Sequence, residues 1–413
     1  MSPLACHPLN RVLFARPHRL FFLIGAWQLI LSILFWFVVL TGLYLPALPV
    51  LPLTVNATSA HLFLMLYGLF IFFVFGFLLT VFPRWLGTAE IDRPRYTGIA
   101  ALLTVGMVTY YLGLLTSRDV ALIGNGLFVG GWGLGLWTLL SIWQRSSRED
   151  KRFALFPLGC VAMGGMGAAS HALWLWTSQG ELLVIAGAVG LWLYLVPLVI
   201  AISYRMIPFF SARALADYAA IKPRWTLPAT LICVLTHFGL TVFDQSEWLF
   251  LCDLPLAFIG AWHSYRWGLW RSLRVPLLGM LHISFAWLTV AMGLYVMQSL
   301  LQWTRMPLDL GLAPLHALAI GFVTSMLVAM ASRVSLGHSG RPLTADRTTL
   351  WAFAVVQLTA LVRVLAEFPL PGHGYAYLGL VLAAALLWLA AFIPWGLHFG
   401  AIYCRPRVDG APG

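Results

Sequence analysis

The sequence predicts an all-α integral membrane protein, a bundle of about twelve transmembrane helices, and two observations carry that prediction. Of 413 residues, 61% are hydrophobic and only 9% charged, with a mean hydropathy of +0.88. Soluble domains carry roughly 25% charged residues, so the chain's main solvent is lipid. Apolar runs of membrane-spanning length then recur from one end to the other, which excludes disordered, collagen-like and disulfide-scaffold classes. Residues 1–413 read as a single transmembrane domain.

The spans fall at about 20–45, 58–83, 96–116, 119–143, 153–178, 181–207, 224–243, 247–266, 275–303, 312–332, 348–368 and 374–402. At 1.5 Å rise per residue each crosses a ~30 Å hydrocarbon core. The first follows a basic stretch without a small-residue cleavage site, so it reads as a helix rather than a signal peptide. The Asn56 loop parts spans 1 and 2, and Arg84, Arg93 and Arg95 part spans 2 and 3. Arg118 marks the next turn, and Arg145, Arg148, Lys151 and Arg152 the one after. Glu181 opens span 6, which ends at Arg205, with Arg213, Lys222 and Arg224 following. Asp244 and Glu247 separate spans 7 and 8, and Arg266, Arg271 and Arg274 lead into span 9. Arg305 and Asp309 precede span 10; Arg333, Arg341 and Arg347 follow it; Glu367 closes span 11. Internal Gly and Pro need not break these helices, because neighbours satisfy the freed backbone groups.

Charge sets direction. Loops after the even-numbered spans, with both termini, hold 22 of the 25 basic residues; only Arg118, Arg305 and Arg363 lie on the other side. The positive-inside rule then places both termini on the cytoplasmic side. Seven acidic residues fall on each side, giving +15 inside against −4 outside. The net +11 and pI of about 9.8 are therefore an orientation signal with attraction to anionic lipid headgroups, not a nucleic-acid signal. Arg363 reads as a cation snorkelling to the outer interface. The five cysteines are scattered, with no CxxC or CxxCH, which argues against a disulfide framework, a zinc ribbon or covalent haem c.

Histidine is left as the main candidate for chemistry. His61, His171, His237 and His316 come from four spans and share one depth in the outer half. A histidine inside a span is costly enough to suggest function, and neutral imidazole ligates haem iron and copper. Equally, each could serve as a helix-packing hydrogen bonder. His282, His263, His398 and His338 lie toward the cytoplasm; His7, His18 and His373 attract no role. Met65 faces the same side as His61, as a soft ligand or as packing. Asp253 is the one acid inside a span, read as a paired acid or a local proton donor.

The most distinctive segment is Leu315-His316-Ala317-Leu318-Ala319-Ile320-Gly321, running on to Ser332-Arg333-Val334-Ser335-Leu336-Gly337-His338-Ser339-Gly340-Arg341-Pro342. It resembles the signature of the NnrS family. Pro17-His18-Arg19, Pro83-x-Trp85-x-Gly87, Arg205-Met206-Ile207-Pro208-Phe209-Phe210 and the Arg266–Leu278 stretch agree in order. The resemblance implies a twelve-span inner-membrane protein containing haem and copper, linked to nitric oxide, nitrosative stress and denitrification. The family's His-x-His-Glu-Met stretch is here His61-Leu62-Phe63-Leu64-Met65, which puts copper in doubt. Arg84, Arg205 and Arg333 close spans 2, 6 and 10, a spacing that three arcs of four helices would give, resembling haem–copper oxidases; charge bias alone would also place them there.

These residues suggest a b-type haem in the outer half, its iron held by His316 with His61 or His171. His282 and His338 offer an inner alternative, with Arg333 and Arg341 pairing haem propionates. Three function classes stay open: a haem protein that handles NO or passes electrons with a respiratory-chain partner, a transporter of haem, metal or small solute, and a structural or assembly subunit.

Overall fold

The computed structural model describes residues 9–45, 47–368 and 373–410, and the described residues form helices and loops without a strand. Twelve long helices follow one another: α1 Pro17–Tyr44, α2 Ala57–Leu86, α3 Arg93–Thr116, α4 Arg118–Arg145, α5 Arg152–Thr177, α6 Gly180–Ala214, α7 Thr226–Val242, α8 Phe250–Arg266, α9 Pro276–Trp303, α10 Ala313–His338, α11 Arg347–Leu365 and α12 His373–Tyr403. Ten are long and apolar enough to cross a membrane; α7 and α8, at 17 residues each, stand at the short end of the range of about 17–25. The chain is a multi-pass membrane bundle.

Helix ends follow side-chain chemistry at the arginine-rich face. The helices α2, α6 and α10 run past their expected ends near 83, 207 and 332, to Leu86, Ala214 and His338. Arginines of α6 and α10 stack on aromatic rings at this face. Arg205 sits 4.4 Å over the Trp85 ring and 4.9 Å over Phe153, while Arg333 lies 3.9 Å over Phe210.

The helices pack in three equivalent groups of four. The consecutive pairs α1–α2, α5–α6 and α9–α10 are in contact, as are α3–α4, α7–α8 and α11–α12. The joints α4–α5 and α8–α9 have their counterpart in α12–α1, which closes the ring. The most buried spans are α2, α6 and α10, with 72%, 67% and 67% of their central windows inside the bundle. Each of these three, four helices apart, also carries one π-helical stretch: Leu64–Leu69, Val189–Leu195 and Ala317–Thr324. Interfacial anchoring explains arginines at helix ends but not this repetition.

Small residues let neighbours approach. A Cβ on Gly113 of α3 would stand 2.1 Å from the Ala121 backbone nitrogen of α4, a contact only glycine permits. Gly321 in α10 leaves room for the Trp287 indole, 2.4 Å from where its Cβ would be, and that indole donates to Gln357 Oε1 at 2.7 Å. The end of α10 and the turn after it hold the chain's ends together. Arg407 donates to the His338 carbonyl, Ser335 Oγ and the Tyr403 hydroxyl are 2.7 Å apart, and Arg19 donates to the carbonyls of Tyr403 and Arg405. Gly340, at φ +71°, has the Asp409 carboxylate where a side chain would go.

Candidate functional site

A cavity of about 670 Å³ opens between α2, α6 and α10 at the level of their π stretches, in the half away from the arginine-rich face. A π turn widens a helix locally, and such turns concentrate at functional sites. Three histidines line this space: His61 from α2, His237 from α7 and His316 from α10. Met65, Trp36, Trp192, Tyr295 and Arg363 line it too.

Each imidazole is set by a different partner. His316 Nδ1 lies 2.9 Å from the Leu312 carbonyl, which can only accept, so Nδ1 carries the proton and Nε2 keeps its lone pair. His61 stacks on Trp36 with centroids 4.1 Å apart, and its Nδ1 is buried without a partner. His237 Nδ1 donates to Asp253 Oδ1 at 2.7 Å, with both side chains buried, and its ring stacks 3.5 Å from Trp192. Asp253 is thus the paired acid of the two roles the sequence left open.

His171 takes a different place. It is fully buried, accepts from the Asn125 amide at 2.8 Å and stacks 4.6 Å from Phe63. It is not among the residues lining the cavity that His61 and His316 share. Its Nε2 has no partner.

The arginine-rich half separates the remaining histidines. His282 meets Ser211 Oγ at 3.0 Å, and His263 meets the Tyr204 hydroxyl. His338 ends α10, rather than lying in the loop beyond it, and packs against His18 with centroids 4.5 Å apart. His282 and His338 are therefore held by different neighbours. Arg333 stacks on Phe210, and Arg333 Nε and Arg341 Nη1 are both buried without a hydrogen-bond partner. Seventeen residues separate His316 from Arg333, about 25 Å along one helix, so Arg333 belongs to the other end of the bundle from the cavity.

Arg363 does not snorkel. It is buried, bonded to Glu367 at 2.5 Å and placed 5.9 Å over the Tyr377 ring, and it is the one arginine in the cavity lining. Sequence alone gave His18 no role, since its neighbour lies 320 positions away. The His237–Asp253 pair was closer to view, because adjacent antiparallel helices carry both at similar depth.

A family model described as NnrS protein matches residues 12–407. The chain belongs to the NnrS family. No curated protein matches it. Against the family's His-x-His-Glu-Met pattern, this NnrS protein keeps His61 and Met65 on the cavity wall, while Phe63 turns away to stack on His171. The NnrS segment around His316 thus does two jobs: its first half borders the cavity and its second half anchors α12.

Proposed function

We propose that this NnrS protein holds a b-type haem in the cavity between α2, α6 and α10, and that NO is the small ligand it handles. The observation that carries the proposal is that His61 and His316 border one cavity, in a chain whose family is associated with nitric oxide. The volume lies within the roughly 300–1,000 Å³ usual for cofactor sites, and the walls are mostly aliphatic and aromatic. The donor set fits the group: His316 presents an oriented Nε2, and His61 has a buried nitrogen without a partner. Haem iron, once bound, supplies a site for a diatomic ligand.

The chain's own residues supply the rest. The Leu312 carbonyl fixes the His316 tautomer and aims its ring, as carbonyl partners do for ligating imidazoles. Trp36 limits rotation of His61. The apolar lining excludes water, while Arg363, Gln298 and Gln302 give polar groups at the cavity edge. Copper gains no support from the span-2 stretch, where Phe63 and Leu64 replace polar residues.

The test is an optical spectrum of purified protein with and without NO, beside His316→Ala, His61→Ala and His282→Ala. A Soret band should appear in the wild type, shift with NO, and be lost or altered in the first two variants only. Full haem with an unchanged spectrum in His316→Ala, with loss in His282→Ala, would move the site to the arginine-rich half. Protein without haem that passes solute in proteoliposomes would make it a transporter.

A further inference from the structure

Beside the cavity, α7 and α8 bring together a second group of donors that the haem proposal leaves unused. The His237, Cys252 and Asp253 ligand atoms all lie within 4.8 Å of one another, and all three residues are buried. His237 Nδ1 is 2.7 Å from Asp253 Oδ1, and Cys252 Sγ is 3.7 Å from the same oxygen. Cys252 also contacts the Leu249 carbonyl at 3.2 Å, a bond available to any helical cysteine. Asp253 Oδ2, however, is buried with no partner at all. A carboxylate with an orphaned oxygen in a low-dielectric interior is costly unless a cation completes it.

We propose that His237, Cys252 and Asp253 form a binding site for a thiophilic divalent transition-metal ion. Around a tetrahedral ion with bonds of about 2.0–2.3 Å, neighbouring ligand atoms stand roughly 3.3–3.6 Å apart. Two of the spacings, 2.7 and 3.7 Å, bracket that value and the third lies within 4.8 Å, so side-chain shifts of about an ångström would close the site. Charge agrees with geometry. A Cys252 thiolate, the Asp253 carboxylate and a neutral imidazole total −2, which a divalent ion cancels, leaving a neutral group in an apolar interior. Binding expels the Cys252 thiol proton to solvent. The His237 proton moves from Nδ1 to Nε2, since Nδ1 becomes the ligand. Trp192, at 3.5 Å, and Tyr295, at 4.9 Å, wall the ring as the apolar shell of such sites does. Three protein ligands leave the fourth position to a solvent molecule, reached from the cavity that His237 lines.

The experiment uses the full chain in detergent, stripped with chelator and titrated anaerobically with Co²⁺. One equivalent should bind with a sulfur-to-cobalt charge-transfer band and intense tetrahedral d–d absorption. Cys252→Ser should abolish the charge-transfer band, and Asp253→Asn should weaken binding by roughly tenfold or more. X-ray absorption on the cobalt-loaded wild type needs no variant, and should find sulfur at about 2.3 Å. A wild-type shell of nitrogen and oxygen alone, failure to bind one equivalent, or an unchanged band in folded Cys252→Ser would each overturn the proposal. All these readouts report cobalt–ligand bonds, so they stand or fall independently of haem.

Discussion

Replacing Glu367 by alanine breaks the Arg363–Glu367 ion pair beside the cavity. Arg363 and Glu367 side chains are each only 10% exposed, and their charged atoms meet at 2.5 Å. Two unit charges about 4 Å apart attract by about 4 kcal/mol at an effective dielectric of 20. Removing one partner of a buried pair costs about 3–5 kcal/mol, because the other charge remains without compensation. The residual exposure lets water recover part of that, so Glu367→Ala should lower stability by about 2–3 kcal/mol. Arg363→Met/Glu367→Leu, which removes both charges and keeps volume, should recover most of the loss, since desolvation offsets much of a buried pair's attraction. Reversible unfolding in mixed micelles measures both. The account fails if the single variant stays within about 0.5 kcal/mol of wild type, or if the double variant is no more stable than the single one.

Gly321→Val should cost about 2–3 kcal/mol in the same assay, because its side chain would enter the Trp287 ring, which Gln357 holds in place; tryptophan fluorescence should shift with it. Tyr67→Phe should cost about 1 kcal/mol, since the Tyr67 hydroxyl donates to the Ala186 carbonyl just ahead of the α6 π stretch. Asp346 caps α11; burial opposes its ionisation, but hydrogen bonding from Thr349 and the neighbouring His398 imidazole hold its pKa below the ordinary carboxylate value. A depressed folded pKa contributes stability above the unfolded value of about 3.9, lost as pH falls through the folded one. The stability gap between wild type and Asp346→Asn should therefore be present at pH 7 and narrow as pH drops below about 4. A gap independent of pH would contradict this.

The bundle was legible because each apolar run has to satisfy its backbone within a helix, whatever its neighbours do. Arg205 and Arg333 were legible as marking one face of the bundle, but the helices continue past them, and their stacking on Trp85 and Phe210 depends on which helices meet. The same limit explains His171: sharing a depth with His61 does not fix the direction in which a side chain points. Leu62, on the cavity wall, is followed directly by Phe63, which faces His171. Farther along α2, the π stretch Leu64–Leu69 shifts side-chain directions with no mark in composition. Arg363 looked like a snorkelling cation because Glu367, one turn on, counted only as a loop acid.

The widened turns have a geometric consequence for α2, α6 and α10. At 3.6 residues per turn each residue advances about 100°, and one residue accommodated in a π turn slips the phase of all that follows by about that angle. The two halves of each helix are thereby re-indexed against each other. The half that borders the cavity can point His61, Trp192 or His316 inward while the arginine-bearing half aims elsewhere, without twisting the rod between them. Deleting a single residue from such a turn would leave the helix whole but swing one half's side chains about a quarter of a revolution away from their partners.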